Sequence, residues 1–119
     1  MNGATGNSRV AAIIKSRQRS EARGITRIRV QAEMRKQGLT QADLVPSLVH
    51  LTRVSAGKLD GDSLQASFKG VRDGVADVLG IDDGGQFVKW VYAQKKGPVK
   101  VYAVEVEIIP RDRNSEKKP

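Results

Sequence analysis

Leu64, Phe68, Val71, Val75, Val78 and Leu79 recur at helical spacing through residues 63–79 and stop at Gly80. That spacing predicts an amphipathic helix whose apolar face has to be buried against a second layer. The layer comes from β-rich sequence on both sides. After Pro46, the run Ser47–Ser55 is rich in β-formers and reads as a strand. Two further β-rich segments follow the helix, about 86–94 and 99–109, and Lys95-Lys96-Gly97-Pro98 between them suits a hairpin loop. In the last segment Tyr102, Val104, Val106 and Ile108 share one face while Glu105 and Glu107 share the other, the alternation of a half-buried strand.

Ahead of Pro46, residues 8–37 favour helix. Ser8 is placed to cap it, Val10, Ile13 and Ile14 open an apolar stripe, and Ile25, Ile28 and Ala32 resume it. Gly24 offers a break into two helices, and Gly38 a stop with Arg35 and Lys36 in the last turn. The expected order is α-β-α-β-β. It describes an α+β fold with two main helices packed on a small, mostly antiparallel sheet of about three strands, thin enough for a partner subunit to complete its core. The 119 residues leave room for one domain, over 8–110. Residues 1–7 and the charged 111–119 (RDRNSEKKP) read as disordered ends.

Several classes drop out on composition. Without cysteine there is neither a disulfide framework nor a thiolate zinc site, and a cytoplasmic setting is the natural expectation. No apolar run approaches the roughly 18 residues of a membrane span, and residues 1–9 lack the apolar stretch of a secretory signal. With His50 the single histidine, no His-based metal triad can form and a Ser/His/Asp arrangement has that one candidate member, but a place in the strand suits it better.

Charge is unevenly placed. Of a net +8, seven units of excess lie between Arg9 and Lys36, where nine basic residues (Lys15, Arg17, Arg19, Arg23, Arg27 and Arg29 among them) meet only Glu21 and Glu33. A solvated helix face would carry several such charges without a ligand. Here carboxylates at i,i+4 are too few to relieve the repulsion, which points to an anionic partner and so to nucleic acid. Such contacts bind phosphate with steep salt dependence and little base specificity.

Between Asp60 and Asp83 the sign reverses, with six aspartates against Lys69 and Arg72. Asp60 and Asp62 precede the predicted helix and Asp82 and Asp83 follow it. Two readings stand side by side: helix caps and a turn, or oxygen ligands for one hard cation, Mg²⁺ or Mn²⁺, suited to phosphodiester hydrolysis. The second needs the two pairs to converge. A straight helix of about seventeen residues separates its ends by roughly 25 Å, so convergence requires a bend, a shorter helix or a returning loop.

The stretch Leu59-Asp-Gly-Asp-Ser-Leu-Gln65, continued through Lys69-Gly-Val-Arg-Asp73 to Gly80-Ile-Asp-Asp83, resembles the signature of RusA-type Holliday-junction resolvases and their phage relatives. In that family an Asp-x-Asp-Asn-Leu segment opens a helix that carries a lysine, and an Asp-Asp pair follows. The resemblance spans about 47–109. It implies a homodimeric, Mg²⁺-dependent endonuclease that resolves branched DNA in recombination and repair. By position it makes Asp60, Asp62 and Asp83 the metal carboxylates, with Asp82 as the neighbouring substitute for Asp83. Ala66 stands at the ungapped position of the family lysine, and Lys69 keeps the Lys-x-x-x-Asp spacing to Asp73, so Lys69 is expected to contact phosphate. Ser63 replaces the usual Asn, and the strand that the family places before its first long helix has no counterpart in residues 1–7.

Two other readings compete. A catalytically degenerate member would bind branched DNA or a protein without cutting. Alternatively, Gln37-Gly-Leu-Thr-Gln-Ala-Asp-Leu44, with Thr40 as cap, looks like the opening of a helix-turn-helix DNA binder. Against this, Pro46 and the β-rich 47–55 stand where a recognition helix belongs. Trp90 and Tyr92 share the facing of Val88 and are expected to pack rather than to stack on bases.

Overall fold

A computed structural model describes residues 9–15, 19–81, 87–98 and 102–111, with Arg19 described by its backbone alone. Along the chain run β1 (Val10–Ile14), α1 (Arg19–Gln37), α2 (Gln41–Leu44), β2 (Ser47–Ser55), α3 (Gly61–Ser67), α4 (Lys69–Leu79), β3 (Val88–Lys96) and β4 (Tyr102–Pro110). The fold is α+β. Among the described residues it has a four-stranded mixed sheet and four helices, against the three strands and two main helices expected. The strand order is β1-β4-β2-β3, with β4 antiparallel to both β1 and β2, and β2 parallel to β3.

Four local expectations are corrected. Residues 10–14 form a strand rather than the opening of a helix: Val10 and Ile14 are buried while Ala11 and Ile13 are exposed, and the strand pairs with Val104–Ile108 of β4. A strand therefore does precede the first long helix, in 10–14 instead of 1–7. Gly24 does not interrupt α1, which passes through it with open space around its Cα. The long predicted helix is two, since Phe68 ends α3 and begins α4. Finally, β3 and β4 are not a hairpin. β2 lies between them, and Gly97 donates its N–H to Ser55 at the end of β2, 3.0 Å away.

Other expectations hold. Ser47–Ser55 is a strand, so the place of a recognition helix is taken. Gly38 and Gly80 stop α1 and α4 in the left-handed region, at φ 69° and 68°. Beyond each glycine a backbone N–H returns to the helix, Leu39 to Met34 and Ile81 to Ala76, at 2.9 and 3.1 Å, satisfying carbonyls left free at the helix end.

The core lies between one face of the sheet and the helices. Val49 and Leu51 of β2, Val106 and Ile108 of β4, and Val75 and Leu79 of α4 are buried there, with Phe68 fully enclosed at the α3–α4 break. Burying a side chain of Phe68's size stabilises by about 1.5–3 kcal/mol. Its ring stacks on Tyr92 of β3, centroids 5.3 Å apart. Arg72 lies over Trp90 and hydrogen-bonds the Tyr92 hydroxyl, so both aromatics pack as expected. α1 crosses α4 where Gly74 meets Thr26: a Cβ on Gly74 would stand 2.7 Å from both the Arg23 carbonyl and the Thr26 Cβ. At this crossing Arg23 grips Asp77 through two hydrogen bonds of 2.7 and 2.8 Å.

Candidate nucleic-acid and metal site

β2 and β3 are parallel, so their carboxyl ends lie together, with Ser55 opposite Lys96 and Arg53 opposite Gln94. In open sheets with helical crossovers, ligands bind beyond such ends. The chain leaves β2 there and reaches Asp60 after five residues. Gln94 fixes that return: its side-chain carbonyl accepts from the Leu59 N–H at 3.1 Å and its amide donates to the Leu59 carbonyl at 2.7 Å. A side chain thus satisfies both backbone groups of the residue just before the first aspartate.

Asp60 caps α3. Its carboxylate accepts from the Ser63 N–H at 3.1 Å, and the Ser63 hydrogen bonds hold the Asp60 carboxyl below the usual carboxylate range. Asp62 lies in the first turn of α3 and is exposed. The cap reading of Asp60 is thus realised, while Asp62 keeps both oxygens toward solvent. Cations gather at the same end of the strand pair. Arg53 projects from β2 on the helix-bearing face, Lys95 and Lys96 close β3, and Lys58 belongs to the Leu59 loop. Lys95 is paired with Glu105 at 3.0 Å. Lys69, exposed at the start of α4, is paired with Asp73 at 3.3 Å.

Asp82 and Asp83 lie outside the described residues. On one side of them, the last turn of α4 is tied to α2 through a 2.8 Å hydrogen bond from Gln41 to the Val78 carbonyl. On the other, the Phe87 carbonyl accepts from Ser47 N–H at 3.0 Å, at the opposite end of β2 from Asp60. Six steps along β2, from Ser47 to Arg53, correspond to about 20 Å. Among the described residues no group of three or more His, Cys, Asp or Glu side chains is placed to hold a metal ion.

The cationic segment is distributed over two elements. Lys15, exposed past β1, and Arg29 on α1 line one groove of about 730 Å³ together with Glu33, Glu105 and Glu107, so that groove is of mixed charge. Arg27 and Arg29 point outward, together with Ile28, which is 69% exposed. Arg23 is engaged by Asp77, so it serves the helix crossing. Arg17 and the side chain of Arg19 lie outside the description. Sequence reasoning did not single out Gln94 and Arg53. Their signal is their register at the ends of a parallel pair, invisible until the strands are aligned.

No family model matches the chain, and no curated protein is similar to it. Among solved structures, it is similar to a crystal structure of a proposed translation initiation inhibitor from Salmonella typhimurium, at 16% identity. The match covers 89% of this chain and 84% of that one, with a TM-score of 0.44, a likeness too low to carry an argument. No helix among the described residues is long and apolar enough to cross a membrane.

Proposed function

We propose that this protein is a Mg²⁺-dependent endonuclease of branched DNA, of the RusA type, acting as a homodimer. The observation that carries the reading is the pair Asp60 and Asp62, anchored through Gln94 beyond the carboxyl ends of a parallel strand pair, the end at which Arg53, Lys58 and Lys96 also lie along the chain. A strand ahead of the first long helix also agrees with the resemblance. Asp60 and Asp62 would hold the ion together with Asp82 or Asp83. A bound Mg²⁺ supplies a polarised phosphate oxygen and a water of lowered pKa. The cations around the carboxylates then bind and orient the DNA backbone, with Arg27 and Arg29 extending the track along α1.

Since Asp60 is anchored near Arg53 and the neighbours of Asp82 and Asp83 near Ser47, the second pair is best supplied by the other copy of a dimer. The test is nicking of a labelled four-way junction, with and without Mg²⁺. Asp62→Asn should abolish cutting and leave binding intact. Mixing Asp62→Asn with an Asp82→Asn/Asp83→Asn variant should restore nicking, because a mixed dimer then contains one complete site. Cutting that ignores both metal and Asp62 would sink the nuclease. Inactive variants whose mixture stays dead would place all the carboxylates in one chain. A non-cutting binder is the second reading, favoured by Lys69 being spent on Asp73. Junction binding by the wild type without any metal-dependent cut would establish it.

A further inference from the structure

Lys69 is expected to meet phosphate, yet it sits exposed beside Asp73, and Ala66 at the alternative position carries no charge. A different cation is held at the carboxyl end of the strand pair, against the loop that leads to Asp60. Arg53 stands two residues before the end of β2, opposite Gln94, the residue that clamps Leu59. Its guanidinium donates to the Gly57 carbonyl at 2.8 Å and lies 5.6 Å from the centre of the Tyr102 ring. Among the described residues no carboxylate pairs with it, and its Nε is buried without a hydrogen-bond partner. A half-buried guanidinium with no counter-charge among the described residues favours an anion at those of its terminal donors that Gly57 does not occupy.

We propose that Arg53 is the phosphate-binding cation of this site, doing the work expected of Lys69. The proposal rests on the nuclease reading above and deepens it. Three features fit an arginine better than a lysine. The planar fork presents donors in fixed directions, so one can be spent on Gly57 while others face a phosphate oxygen. The Tyr102 ring fixes the plane of the fork. Being fixed before DNA arrives, the charge is preorganised for the negative charge that grows on the phosphate during hydrolysis.

The experiment uses the full chain and a labelled four-way junction. Arg53→Gln and Arg53→Lys are compared with wild type in Mg²⁺-dependent nicking, in junction affinity from about 50 to 200 mM salt, and in thermal unfolding. Arg53→Gln should cut at least about 100-fold more slowly. The slope of log affinity against log salt should become shallower by about 0.9, the loss of one phosphate contact. Arg53→Lys should regain the slope and only part of the rate. Midpoints within about 8 °C of wild type would keep all three proteins folded in the assay. A lost rate with an unchanged slope would make Arg53 a mere support of the Gly57 loop and overturn the proposal, as would wild-type cutting by Arg53→Gln. If the wild type itself fails to cut, the nuclease reading fails separately. The slope then decides Arg53: a reduction by about 0.9 sustains the phosphate contact, and no change, or no DNA binding at all, removes it.

Discussion

α1 and α4 cross on the same sheet but are held in opposite ways. Six of the eleven residues of α4 are buried, and its stability comes from apolar packing on β2, β4 and α1. α1 is nineteen residues long and buries Thr26, Val30 and Met34, with its cations facing outward. The difference shows that a helix can be kept in place by a narrow contact line, here Thr26 against Gly74 and Arg23 against Asp77, leaving the rest of its surface available to a ligand. α4 has no such freedom.

The comparison breaks most visibly at Phe68. Phe68→Ala should destabilise the protein by about 3–5 kcal/mol in urea unfolding, because the α3–α4 break loses its enclosed ring. A loss below about 1 kcal/mol would mean that the break is not packed as described. Gly74→Ala comes next. A Cβ there meets backbone at 2.7 Å, so overpacking at the crossing should cost about 1–3 kcal/mol despite alanine's better helix propensity. Stabilisation by Gly74→Ala would show that α1 does not press on α4.

Charge removal from α1 should act on binding instead. Arg27→Gln with Arg29→Gln is expected to shift stability by no more than about 0.5 kcal/mol while making the salt slope of DNA affinity shallower by about 2. An unaltered slope would leave α1 outside the nucleic-acid track. The smallest effect is acidic. The Arg23 hydrogen bonds hold the Asp77 carboxyl below its ordinary range, more than desolvation raises it, and the Ser63 hydrogen bonds lower that of Asp60. A depressed carboxyl contributes stability that is complete above the unfolded value, about 3.9, and is lost as pH falls through the lower folded value. Asp77→Asn should therefore flatten the stability profile below about pH 4 and leave its shape near pH 7 unchanged. An identical acid limb in the variant would count against the clamp.

The α4 half of this comparison was legible in the sequence because helical spacing and a stop glycine coincide, and β4 because its alternation is strict. The α1 half was misjudged at its start. Val10, Ile13 and Ile14 satisfy a helix spacing, and a five-residue apolar run is also long enough for a buried strand, so periodicity alone cannot separate the two. The Phe68 break was hidden because Phe68 keeps the apolar rhythm across it. Lys95-Lys96-Gly97-Pro98 imitates a tight turn, while the chain in fact travels from β3 past β2 to β4. For the site, Asp60 and Asp62 stood out by type and spacing. Gln94 acts through the backbone of Leu59, and Arg53 through a carbonyl and a ring, so neither leaves a motif.

β4, the last of the described strands, occupies the place between β1 and β2, and both depend on it for their antiparallel partner. During synthesis from the N-terminus, β1 is made about ninety residues before the strand that receives it, and contacts of such long sequence separation form slowly. The sheet assembles only when the final tenth of the described chain has emerged. A nascent protein of this design therefore exposes its cationic helix before the sheet beneath it is complete.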